Sequence, residues 1–123
     1  MNNSILFKKL LLPVLILSVI FLVQSVNAKD NFYITGTIYS TETNLPVSSI
    51  WVAIYNYNGT NRISHSLTGN DGKYYISGLD RGSYWFIISR GAYKIFQKRI
   101  VLSNNTTYDV SISTTDWFSN LDR

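Results

Sequence analysis

The sequence predicts an all-β fold, a two-sheet antiparallel sandwich of about seven strands behind an N-terminal signal peptide. Three observations predict it. Apolar residues alternate with period two from Phe32 onward, Asn-Gly and Asp-Gly pairs punctuate the runs, and no window beyond Ala28 carries convincing helical spacing. Strands with one apolar face must bury those faces against one another, and two stacked sheets do so with the shortest connections.

Residues 1–28 are expected to be a secretory leader. Lys8 and Lys9 supply a positive start, Leu10 to Val23 is an uncharged apolar run, and Val26 and Ala28 are short side chains at the positions a signal peptidase inspects. Cleavage is placed between Ala28 and Lys29. An uncleaved membrane anchor is the alternative, but a spanning helix wants about 20 apolar residues and this run is shorter. No stable membrane span is expected after cleavage. The sandwich domain is placed at 29–113 and a tail at 114–123.

Each strand follows from its alternation. Phe32, Ile34, Gly36 and Ile38 share one face of the first, opposite Tyr33, Thr35, Thr37 and Tyr39. Asn44-Leu45-Pro46 turns the chain into Ile50, Val52 and Ile54, which alternate with Trp51, Ala53 and Tyr55. The Asn58-Gly59 hairpin signal leads to a third strand over Arg62–Leu67. Asn70-Asp71-Gly72 precedes Tyr74 and Ile76, and Asp80-Arg81-Gly82 precedes Tyr84, Phe86 and Ile88. Tyr93 to Leu102 comes nearest to helical spacing, yet its β-branched and aromatic content reads as strand. After Ser103-Asn104-Asn105, the residues Tyr108, Val110 and Ile112 close the series.

Composition narrows the chemistry. The chain has no cysteine and one histidine, which excludes disulfides, a Cys-based zinc site and a thiol nucleophile, and makes a multi-His centre improbable. The formal charge of +4 falls to +2 once Lys8 and Lys9 are removed, too mild for a nucleic-acid partner. The one dense basic spot, Lys94, Lys98 and Arg99, reads as a solvated strand face. Most of the seven carboxylates fall in expected turns or the tail, so no acid–base pair or metal set emerges. His65 with Ser64 or Ser66 is formally a dyad, but a surface histidine is the simpler reading. Asn70 and Asp71 offer too few oxygen ligands for a calcium loop. No cofactor and no catalytic residue are expected.

The ordered motifs carry a family resemblance. Ile34-x-Gly36-x-Ile38, Leu45-Pro46-Val47, Ile50-x-Val52-x-Ile54, Thr68-Gly69-Asn70-Asp71-Gly72-Lys73-Tyr74-x-Ile76-x-x-Leu79, Gly82-x-Tyr84-x-Phe86-x-Ile88 and Gly91-Ala92-Tyr93 together resemble the carboxypeptidase regulatory-like domain family. That resemblance covers about residues 32 to 113 and implies a transthyretin-like or carbohydrate-binding-like sandwich without the zinc domain of the carboxypeptidases. It places Tyr74 and Tyr84 in the core, so the Tyr84 hydroxyl needs a partner there. Gly69 stands where the family usually has an acid, which puts a turn hydrogen bond in doubt. The related ureide hydrolases use several histidines and arginines that one histidine cannot supply. The Lys–Asn crosslink of related collagen-binding domains needs a first-strand lysine, and Phe32 to Tyr39 has none.

Aromatic residues at outward positions are the functional clue. Trp51, Tyr55, Tyr75 and Trp85 lie opposite the core residues of their strands, and Trp117 stands in the tail. In transthyretin-like sandwiches the strands of Trp51 and Trp85 share a sheet, so the two indoles and Tyr75 would make one apolar patch. Such a patch suits a protein interface, a stacking platform for sugar rings, or cross-strand pairing alone. The expectation is a secreted, non-catalytic module, periplasmic or extracellular, that binds a protein partner. Carbohydrate binding through the aromatic face is the alternative, and a structural envelope component a further one.

Overall fold

β1 (Phe32–Ser40) is the centre of the first sheet. The structure, a computed structural model, describes residues 29–115. The expected leader at 1–28 and the tail residue Trp117 lie outside the described residues. β1 pairs antiparallel with β4 (Lys73–Leu79) on one side. On its other side it pairs parallel with β7 (Thr106–Thr107) and then β8 (Val110–Ile112). The second sheet is antiparallel throughout, in the order β3 (Arg62–Leu67), β2 (Trp51–Tyr55), β5 (Gly82–Arg90) and β6 (Tyr93–Leu102). The architecture is the all-β sandwich the periodicity requires, with β3 and β6 on the residues expected for them.

One expected strand is divided. Tyr108, Val110 and Ile112 share a parity, but Tyr108 and Asp109 leave the ladder between β7 and β8. Gly36 is the reason. A Cβ there would lie 2.0 Å from the Tyr108 carbonyl oxygen, so the two backbones touch only because Gly36 has no side chain. Side chains repair the gap. The Thr37 amide donates to Asp109 Oδ1 at 2.8 Å, the Tyr108 amide donates to the Thr35 carbonyl at 2.7 Å, and the Tyr74 hydroxyl donates to the Tyr108 carbonyl. Burial, with the nearby Asp109 carboxylate second, pushes the Tyr74 phenol well above its ordinary value, so Tyr74 remains a donor.

The core lies between the sheets. Ile34, Ile38, Tyr74, Ile76 and Leu79 of the first sheet face Val52, Ile54, Phe86, Ile88 and Leu102 of the second, with Ile50 in the entry to β2. Phe86 is its hub, with Tyr74, Phe96 and Tyr108 each edge-on to its ring. The Tyr84 hydroxyl finds its partner in the Asp80 carbonyl at 2.6 Å.

The turns hold as their residues suggest. Gly72 sits at φ +72°, and a Cβ there would strike Pro46 and the Ile38 carbonyl. Gly69 makes turn bonds despite lacking an acid, its carbonyl accepting from the Gly72 amide at 2.9 Å. The two flanks of the sandwich differ. On one, the edges of β3 and β4 meet, the Tyr75 amide donating to Ser66 Oγ. On the other, β6 ends its sheet, with Lys98 reaching over the ring of Tyr108 between β7 and β8.

Candidate interaction face

The register of the second sheet places Trp51, Ala53 and Tyr55 of β2 on its outer surface, across from Ser89, Ile87 and Trp85 of β5. Trp51 and Trp85 therefore share a face but are not neighbours, because the Ala53–Ile87 pair stands between them. Both members of that pair are nearly buried, at 6% and 5% exposure, although they point away from the core. Tyr75 belongs elsewhere. It lies on β4 in the first sheet, its ring tilted against that of Tyr33 with centroids 5.5 Å apart, so the expected three-ring patch does not form. Trp117 lies outside the described residues.

The two indoles have different surroundings. Trp85 is half-buried. The Arg99 guanidinium lies 4.6 Å above it and 4.2 Å from the ring of Tyr57, so the cation sits against both aromatic rings. The β2–β3 hairpin brings Gly59 up to the same indole, where even a Cβ would touch Cδ1 at 3.4 Å. Asn56 shapes that hairpin by accepting from the amides of Thr60 and Asn61 through its Oδ1. Trp51, at 39% exposure, has the edge of His65 against it, 5.1 Å between ring centroids. Leu67 stands directly across from Trp51 on β3, and Ile63 follows on the same face beyond His65. Leu67 is 47% and Ile63 49% exposed.

This end of the sheet is an apolar stripe of Leu67, Trp51 and Ile63 around a single imidazole. Leu67, Ile63, Tyr57 and Arg99 were not singled out from the sequence as site residues. The alternation of β3 carries Ile63 and Leu67, and Tyr57 continues the outward parity of Trp51, Ala53 and Tyr55. The Arg99 contact depends on pairing β6 to β5 and has no local signature.

Ser64 and Ser66 flank His65 in a strand, so their hydroxyls point to the opposite face. Among the described residues no group of three or more His, Asp or Glu side chains is placed to hold a metal. The basic spot does not form one patch. Lys98 pairs with Phe86 on the inner side and reaches the Tyr108 ring at 5.5 Å, whereas Arg99 turns outward onto Trp85.

The carboxypeptidase regulatory-like domain model matches residues 33–115. The chain belongs to that family. No curated protein matches the sequence. Among solved structures, the regulatory-like domain resembles the major pilin subunit BcpA of Bacillus cereus, with a TM-score of 0.56, 11% identity, and 69% of this chain and 30% of that one covered. It resembles a DUF3823 family protein from Parabacteroides merdae at TM-score 0.53 and 14% identity, covering 70% and 47%. A 5-hydroxyisourate hydrolase of Klebsiella pneumoniae follows at TM-score 0.52 and 12% identity, covering 67% and 86%. The regulatory-like domain thus spans less than half of the pilin and of the DUF3823 protein. At these identities the likeness is one of fold, a transthyretin-like β-sandwich. No helix among its described residues is long and apolar enough to cross a membrane.

Proposed function

We propose that this regulatory-like domain is a secreted, non-catalytic interaction module that binds a protein partner through the outer face of β2 and β3. The leader is removed between Ala28 and Lys29, and the partner is met in the periplasm or outside the cell. One observation carries the reading. Trp51 and Leu67 are exposed directly across from each other on the β2–β3 pair, with Ile63 further along β3 on the same face, and an exposed tryptophan beside aliphatic side chains is the composition of an interface centre. The likeness to a major pilin subunit supports a module that works as part of a larger assembly. The sequence's single histidine and lack of cysteine are what motivate the non-catalytic reading.

Carbohydrate binding is the second reading, and it rests on Trp51 alone. The flat two-indole platform it would favour is lost, since Arg99 occupies the face of Trp85. A glycan array run beside partner crosslinking separates the two. Trp51→Ala and Leu67→Ser proteins should lose the crosslinked partner, and Tyr75→Ala, altered on the opposite sheet, should keep it. Glycan binding abolished by Trp51→Ala but indifferent to Leu67→Ser would favour the sugar reading instead.

A further inference from the structure

The flank that carries β6 points to a second binding site. We infer that the free edge of β6 accepts an extended, acidic peptide segment as an added strand. β6 ends its sheet: its residues pair with β5 on one side, and among the described residues no backbone hydrogen bond satisfies the other. An unpaired strand edge is a template for another chain. The opposite flank is not available in this way, because β3 and β4 approach each other there and Ser66 takes up the Tyr75 amide.

Charge selects the occupant. Between Tyr93 and Leu102 the strand carries Lys94, Lys98 and Arg99 and no carboxylate. Lys94 stands across from Ser89 on the outer face, and Lys98 across from Phe86 on the inner one, so cations border the edge on both sides. A second copy of β6 laid against this edge would set lysines near lysines, and like charges across a strand pair destabilise it. An added strand bearing Glu or Asp at alternate positions presents them on one face of the sheet, to Lys98 on the inner side or to Arg99 on the outer side according to its register. Val101, 75% exposed, gives the partner apolar contact near the end of the strand. The register shift between Ile88 and Ser89 breaks the edge near Ile95, so the added strand pairs along Phe96–Leu102. This site is remote from Trp51, two strands away across the sheet.

The test uses fluorescein-labelled Thr-Glu-Thr-Glu-Thr-Glu-Thr, with a lysine-for-glutamate peptide and an alternately N-methylated Thr-Glu peptide as controls. Anisotropy titration should show saturable binding of the acidic peptide alone. Hydrogen exchange should slow at alternate amides of Phe96–Leu102. Lys94→Glu with Lys98→Glu should weaken binding by about tenfold, while Trp51→Ala should leave it unchanged. Failure of the acidic peptide to bind overturns the inference. Equal binding of the N-methylated peptide, or binding with no protection in β6, also overturns it, because the attraction would then be ionic without strand addition. Concentration-dependent self-association through β6 would overturn it as well.

Discussion

Two residues show how much rests on single positions. Gly36 lets the Tyr108 carbonyl enter the space of a side chain, and the nearest backbone atom would have to move by more than an ångström to admit a methyl group. Gly36→Ala should therefore cost about 3 kcal/mol or more, read as a fall in the urea midpoint. Glu42 works through charge. Its carboxylate accepts from Ser113 Oγ at 2.7 Å, from the Thr114 amide at 3.0 Å, and from the Ser40 and Thr114 hydroxyls. The Ser113 bond first and the Thr114 amide second hold this carboxyl well below the usual range, against a weaker opposing effect of desolvation. A depressed folded value stabilises the fold above the ordinary carboxylate pKa, and that contribution fades as pH falls through the folded value. Acid should thus loosen residues 113–115 first, seen as faster exchange of the Thr114 amide. Glu42→Gln should remove that acid dependence.

The strands differ in how they are secured, and in how readily the sequence shows them. β7 and β8 are too short to hold by ladder bonds alone, and Asp109 bridges the interval by accepting the Thr37 amide. Asp109→Ala should cost about 1 kcal/mol and speed exchange at Thr37. β2 to β6 were legible because alternation and turn residues are local. β3 falls on Arg62–Leu67 and β6 on Tyr93–Leu102, as their patterns indicate. The split of Tyr108 from Val110 was not legible, because it depends on Gly36 some seventy residues earlier. The same limit applies to the aromatic face. Outward parity is visible for Trp51, Trp85 and Tyr75, but which sheet each strand joins is a matter of long-range pairing. Tyr75 accordingly falls on the first sheet, and the Ala53–Ile87 pair separates the indoles.

The described residues form a sandwich without disulfides, closed on one flank and open among themselves on the other, with the exposed apolar stripe beside the closed flank. Its buried cluster runs continuously from Ile34 to Ile112, so heat should unfold it in one cooperative step. The proposed interaction role rests on the Trp51–Leu67 stripe, where both side chains are exposed across the β2–β3 pair. Site-specific photo-crosslinking in the producing cells tests this most directly, with benzoylphenylalanine at position 67 and, as the control on the outer face of the first sheet, at position 111. A discrete protein adduct from position 67, lost when Trp51→Ala is added and missing from position 111, is the expected result. Adducts of equal yield from both positions, or none from position 67 in a folded protein, would contradict a partner-binding role for this face.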